Sequence, residues 1–308
     1  MKNELLKELV EAVEKQNLKV YNVVVRKDNQ IIARHDFKEL KQKQLWSVSK
    51  TFTSMAAGIA MGEGYFKLND KVIDFFIDDY KIDVDEHLKK LTIHDLLCMG
   101  TGHAECPVVK ADWESREKID ICRLFFDEPF VYEPGTHFVY DNSAPYMISR
   151  IIGITTGIDL NEFMYQKVFK HMDIEKPFWE PCLFGYPQGF AGLHLDADQV
   201  SQFGSLILEK GVWQGKQLIP ADYIEKATSI QIKTDEFAPV YVTKDHQRGY
   251  GYYMWMNSYP GSYRMDGMYG QYAAMLPDKN TVVTYLSNEQ INMTAVLELT
   301  WDYLIDKL

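Results

Sequence analysis

The chain has 308 residues, 46% of them hydrophobic, enough to bury one large core or two lobes that share an interface. Its 33 Lys and Arg against 44 Asp and Glu give a formal charge of -11, with no basic run to meet a phosphate backbone or an anionic lipid surface, so neither nucleic acid nor a membrane is an expected partner. The stretch from Met1 to Lys19 is charged throughout and no apolar run is long enough to span a bilayer, which makes the expected location cytoplasmic.

Leu5, Leu6, Leu9, Val10 and Val13 recur at helical spacing and predict an amphipathic opening helix. Two β-rich runs follow, Lys19 to Arg26 and Gln30 to His35, separated by the turn Lys27-Asp28-Asn29, so a hairpin is expected. From Ser47 to about Met61 the pattern is helical and ends at Gly62 and Gly64; Leu68 to Pro181 alternates helix-like segments with polar loops. Strand signals return in the aromatic-rich runs Gly249 to Met256 and Tyr269 to Leu276 and in Thr281 to Leu286, with Pro277 to Asn280 as the last turn. Val296, Leu297, Leu299, Trp301, Leu304 and Ile305 give a closing helix a broad apolar face. Early and late strands need each other's edges. The expected organisation is therefore α+β: an antiparallel sheet flanked by helices, built from residues 1–65 and 186–308, with a mainly helical domain, 66–185, inserted.

Several chemistries find no support. Cys98, Cys106, Cys122 and Cys182 form no Cys-x-x-Cys pair and read as buried free thiols, the eight histidines never form His-Glu-x-x-His, no Gly-x-Ser-x-Gly elbow occurs, and Gly211 to Lys216 falls short of a phosphate loop. No metal and no cofactor is called for.

Ser47-Val48-Ser49-Lys50 places a hydroxyl and an amine three residues apart, on one face of a helix. Serine is a weak nucleophile until a base takes its proton, and lysine serves as that base only when desolvation keeps its amine neutral; Trp46, Phe52, Met55 and Ala56 are the expected apolar surroundings. The first turn of a helix also offers free N–H groups to an oxyanion. Two observations hold this in check: Ser47 could equally cap the helix, and Ser115-Arg116-Glu117-Lys118 has the same spacing, although in a charged, solvated setting. The second motif is Tyr140-Asp141-Asn142, the one Tyr-x-Asn among 19 tyrosines. In extended backbone Tyr140 and Asn142 face one side, the phenol to relay a proton and the carboxamide to hold a substrate carbonyl; the competing reading makes Asn142 or Ser143 a helix cap. His94 and His103, without an identifiable Asp or Ser partner, read as capping or loop residues.

With these motifs the chain resembles the serine β-lactamase and penicillin-binding-protein-like family, nearest to the class C β-lactamases and their esterase and amidase relatives. The likeness extends through Gly58 to Gly64, Leu91 to Gly102, Pro134-Gly135-Thr136, Ala191 to Leu195 and Gly211 to Lys216. It implies a serine hydrolase with Ser47 as nucleophile, Lys50 as base and Tyr140 as proton relay, acting on a small ester, amide or β-lactam; the oligomeric state stays open. Where the family carries Lys-Thr-Gly or His-x-Gly, this sequence has Met265-Asp266-Gly267. Gly267 is expected to keep the cleft clear for substrate, and the Met268 N–H to pair with that of Ser47 as an oxyanion hole. Met265 cannot supply the lysine's contact to a substrate carboxylate, which favours neutral esters or amides over β-lactams.

Overall fold

The computed structural model describes residues 4–39, 42–110, 119–237 and 243–308. The second Ser-x-x-Lys sequence, Ser115 to Lys118, lies outside them. The opening helix α1 (Lys7–Lys15) turns its Leu9, Ala12 and Val13 inward, as its spacing predicts. Strands β1 (Val20–Lys27) and β2 (Gln30–Asp36) pair antiparallel through a two-residue turn in which Asp28 and Asn29 both take left-handed φ, 48° and 58°. That turn matches the twist of the two strands, and Asp and Asn tolerate it best among residues with a Cβ. A short strand β3 (Lys43–Gln44) then leads into a 3-10 turn, Trp46–Val48, that runs straight into α2 (Ser49–Gly62).

Among the described residues between 66 and 185 the regular elements are helices, α3 (Ile93–Leu97), α4 (Ile121–Asp127), α5 (Ser143–Thr156) and α6 (Leu160–Lys167), with turns and isolated bridges beside them. Next come β4 (His194–Leu195), which pairs with β3, and α7 (Ala197–Leu208), opened by an Asp196–Gln199 capping box. A small hairpin of β5 (Val212–Trp213) and β6 (Lys216–Gln217) precedes α8 (Ala221–Ala227). The chain ends in β7 (Trp255–Met256), β8 (Tyr263–Gly267), β9 (Gln271–Leu276), β10 (Thr281–Ser287) and α9 (Met293–Tyr303).

These strands form one antiparallel sheet in the order β2-β1-β10-β9-β8-β7, so the first hairpin joins the last strands across β1 and β10. Alternation along the strands loads both faces. Val23, Val25, Tyr272, Ala274, Val283 and Tyr285 meet α1 and α9 on one side. Val24, Met265, Ala273, Met275 and Val282 meet α2, α7 and the helical region on the other. Each large apolar side chain so buried contributes roughly 1.5–3 kcal/mol. Arg26 ties β1 to α7, donating Nε to Ser201 Oγ at 2.9 Å and pairing with Asp198.

The aromatic run Gly249 to Met256 departs from the expected strand. Its backbone reverses: Gly251 N–H bonds the Met254 carbonyl at 2.8 Å, Tyr253 takes φ 57°, and only Trp255–Met256 pairs with β8. Alternating aromatics here record four rings that are all buried, on both sides of a turn. Likewise β9 starts at Gln271, because Tyr269 and Gly270, at φ 65° and 75°, make the turn from β8.

Candidate active site

Ser47 sits in the turn before α2, behind Trp46 at φ 50°, a left-handed conformation that an indole side chain adopts only when its surroundings impose it. Leu45 N–H bonds the Leu193 carbonyl at 2.8 Å, Leu193 N–H returns a bond to Ser49 Oγ at 3.2 Å, and the Trp46 ring packs edge-on to Tyr269 at 5.1 Å. β8 closes the other side. A Cβ at Gly267 would stand 2.6 Å from the Leu45 carbonyl oxygen and 3.2 Å from the Val48 amide, so close packing against the turn carrying Ser47 is by itself enough to demand glycine here.

One helical turn along, Lys50 Nζ lies 2.6 Å from Ser47 Oγ and 3.0 Å from the Phe190 carbonyl oxygen. The side chain is buried, and burial pushes the ammonium down to about 7 against the smaller upward pulls of Cys106, Asp266 and Asp141. A neutral amine has two N–H bonds and one lone pair. It can give an N–H to Phe190 and turn the lone pair on the serine hydroxyl. One member of the expected apolar setting is elsewhere: Phe52 is stacked on Phe203 at 3.9 Å, because residues two apart on a helix face different sides. The Tyr140 ring takes its place, with Lys50 Nζ 4.9 Å from its centroid.

Tyr140 arrives on the segment leading into α5. That segment is held by backbone contact with the chain after α3: Val139 N–H bonds the Met99 carbonyl at 3.1 Å, and Gly135 N–H bonds the Gly100 carbonyl at 2.7 Å where any Cβ on Gly100 would strike Gly135 Cα. The anchor is Asp141, fully buried, which accepts from Thr101 Oγ1 at 3.2 Å, His103 Nδ1 at 3.0 Å, and the Ser143 N–H and Oγ at 2.8 and 2.5 Å. Hence the first N–H of α5 is satisfied by Asp141, while Asn142 holds the N-cap position without a side-chain hydrogen bond and Ser143 is the first helical residue. Asn142 is half-buried, and its Oδ1 has no hydrogen-bond partner among the described residues. His103 corrects the sequence reading, since it does have an aspartate partner; Nε2 faces the Phe125 carbonyl at 3.1 Å. His94 rests Nδ1 on the Tyr252 hydroxyl at 2.8 Å.

Ser47, Tyr140, Asn142, Gly267 and Met268 all line one cavity of about 1100 Å³, with Met268 half exposed. Apolar groups dominate its wall, among them Val108, Ile121, Phe138, Phe190 and Trp255. Met265 is absent from that wall. It is buried on the core face of β8, opposite the neighbouring residue that does line the cavity, Asp266, so a lysine placed at 265 would enter the core. Arg264 shares the Asp266 side of the strand, as the two-residue period predicts, and donates Nε to Asp266 Oδ2 at 2.8 Å. Of the cysteines, Cys98, Cys106 and Cys122 are buried and Cys182 is half-buried; burial lifts Cys106, on the cavity wall, to about 11, which leaves it a poor nucleophile. Among the described residues His94, Asp95 and Cys98 bring ligand atoms within 4.8 Å of one another, but Asp95 is engaged in capping α3 and burial lifts the Cys98 thiol to about 12.

The model of the family described as Beta-lactamase matches residues 4–304. A protein described as "Beta-lactamase" from Escherichia coli strain K12 is 23% identical over 308 residues, covering 85% of this chain and 79% of its own. Two solved structures share the fold. The octameric penicillin-binding protein homologue from Pyrococcus abyssi superposes with a TM-score of 0.75 at 18% identity, over 99% of this chain and 79% of the other. EstCE1, a hydrolase with promiscuous acyltransferase activity, does so with a TM-score of 0.77 at 15% identity, over 98% and 99%.

Proposed function

The chain belongs to the beta-lactamase family, and from that premise we propose that it is a serine hydrolase that opens small esters or amides through an acyl intermediate on Ser47. The observation that carries the reading is the 2.6 Å approach of Lys50 Nζ to Ser47 Oγ, made by an amine whose burial brings it down to about 7. In the first step Lys50 takes the Ser47 proton as Oγ bonds the substrate carbonyl carbon. The oxyanion is received by the Ser47 and Met268 backbone N–H groups, and Asn142 holds the acyl side through its carboxamide. As the tetrahedral intermediate collapses, the bond to the leaving group breaks and Tyr140 passes the proton to it; water then attacks acyl-Ser47 with the same groups in reverse. The reacting groups lie where the sheet domain, 1–65 and 186–308, meets the helical insertion, 66–185, which is the division we propose.

The leading alternative within this chemistry is a β-lactamase or D-alanyl-D-alanine carboxypeptidase, whose substrates bear a carboxylate. Neither lysine nor arginine is found among the described residues of the cavity wall, while Glu180 and Asp266 are. A carboxylate ligand would meet like charge in a partly dry site, with no lysine or arginine on the described wall to face it. The expected result is a higher kcat/KM for a p-nitrophenyl ester than for a chromogenic cephalosporin. Faster turnover of the cephalosporin would overturn the substrate preference. A non-catalytic binding protein of this fold is the reading left if neither compound is turned over.

A further inference from the structure

The two carboxylates on the cavity wall are not equivalent. Glu180 is engaged at both oxygens, Oε1 with His194 Nε2 at 2.9 Å and Oε2 with Gln44 Nε2 at 2.8 Å. Asp266 is engaged at one. Arg264 Nε reaches its Oδ2 at 2.8 Å and His246 Nε2 stands 3.6 Å from the same atom, while Oδ1 accepts no hydrogen bond from the described residues. The Asp266 side chain keeps 16% of its exposure and lines the cavity; Arg264 is wholly buried and does not. The ion pair therefore shows the cavity its negative end. Burial alone would raise the carboxyl, but the charge of Arg264 and the His246 bond outweigh it and hold the group below its ordinary value. Aromatic rings share its cavity: Trp255 lies 4.9 Å from His246, the ring whose Nε2 stands near Asp266, and 5.4 Å from Phe138 and 5.5 Å from Phe237, and all four line the wall.

A carboxylate oxygen in a cavity whose wall also carries aromatic rings is an environment that recognises an ammonium group. We propose that Asp266 is a specificity-determining residue that receives a cationic nitrogen of the substrate, so that the preferred esters or amides carry an ammonium group on the acyl or the leaving side. The proposal rests on the reading of this cavity as the hydrolytic site. Its field comes from Oδ1 with Arg264 screened behind Oδ2, so the attraction is shorter in range than that of a lone carboxylate and selects by position.

The test uses pairs of thioesters that differ in charge and not in shape. S-acetylthiocholine is compared with 3,3-dimethylbutyl thioacetate for the leaving side, and the S-phenyl thioesters of trimethylammonioacetate and 3,3-dimethylbutanoate for the acyl side. In at least one pair the ammonium member should have a kcat/KM about tenfold higher after correction for its uncatalysed hydrolysis, and Asp266→Asn should bring that ratio close to unity whatever its absolute rates. Ratios near unity in both wild-type pairs overturn the proposal without recourse to a variant; so does a ratio that Asp266→Asn leaves intact. Binding of the matching methyl ketones to Ser47→Ala, followed by calorimetry, separates this proposal from the one beneath it. An ammonium ketone bound about tenfold tighter by a protein that turns over no thioester keeps the recognition site and ends the hydrolase reading. Turnover of both members of each pair with equal ketone affinities does the opposite.

Discussion

Replacing Ser47 by alanine should lower kcat/KM for a p-nitrophenyl ester by roughly 10⁴–10⁶, to the rate that binding and the backbone N–H groups supply alone. The same substitution should abolish covalent labelling by a fluorophosphonate, which peptide mass spectrometry of the wild type should locate on Ser47. The size of the effect follows from the chemistry: Ser47 is the hydroxyl with an amine 2.6 Å away to take its proton, and Cys106, the buried thiol on the same wall, is lifted to about 11 by burial. Little stability should be lost, since Ser47 is half-buried and its hydroxyl bonds only Lys50 among the described residues. Unchanged turnover in Ser47→Ala, or an adduct elsewhere, would falsify the assignment of the nucleophile.

Lys50→Met should lower kcat/KM by about 10²–10⁴ and should also remove a limb of the pH profile. The sign follows from which form acts. The base is the neutral amine, which gains its proton as pH falls through about 7, so wild-type kcat/KM should drop tenfold per unit below that point and level off above it. Methionine fills similar volume without a proton to exchange. A wild-type profile flat from pH 5 to 9, or a limb that survives in Lys50→Met, would show that another group sets the rate. Tyr140→Phe provides the cross-check, because the Tyr140 ring beside Lys50 is kept while the hydroxyl that relays the proton is lost.

The Ser47 and Lys50 pair was legible because a spacing of three on a helix fixes proximity with no knowledge of the rest of the fold. Arg264 and Asp266 were legible in the same way, through the two-residue period of a strand. What holds Tyr140 in place was not. Asp141 draws its partners from Thr101 and His103, roughly forty residues back, and nothing in local spacing joins them. The Phe190 carbonyl that takes one Lys50 proton is a backbone atom, which leaves no side-chain signature at all. The strand reading of Gly249 to Met256 failed for a different reason: alternation is evidence of a strand only when one face is wet, and here both sides of a turn are buried. For Gly267 the close approach to the Leu45 carbonyl was not legible, because that backbone belongs to a segment far earlier in the chain.

Burying Lys50 also couples folding to protons. In the unfolded chain this amine keeps its proton up to about 10.5, whereas in the folded chain it loses it above about 7. Between those values the unfolded state binds one proton more, so this group's share of the stability rises with pH across the window and is complete only above it. Below about 7 the folded state carries the whole cost of an ammonium in a dry place, on the order of 5 kcal/mol at about 1.4 kcal/mol for each unit. Folding near pH 9 should accordingly release close to one proton to the buffer. Calorimetric unfolding enthalpies measured in two buffers of different ionisation heat should then differ by that proton in the wild type and converge in Lys50→Met; equal enthalpies in the wild type would deny the coupling. As far as this one side chain decides, the fold is weakest at the acidities where its base is protonated and idle.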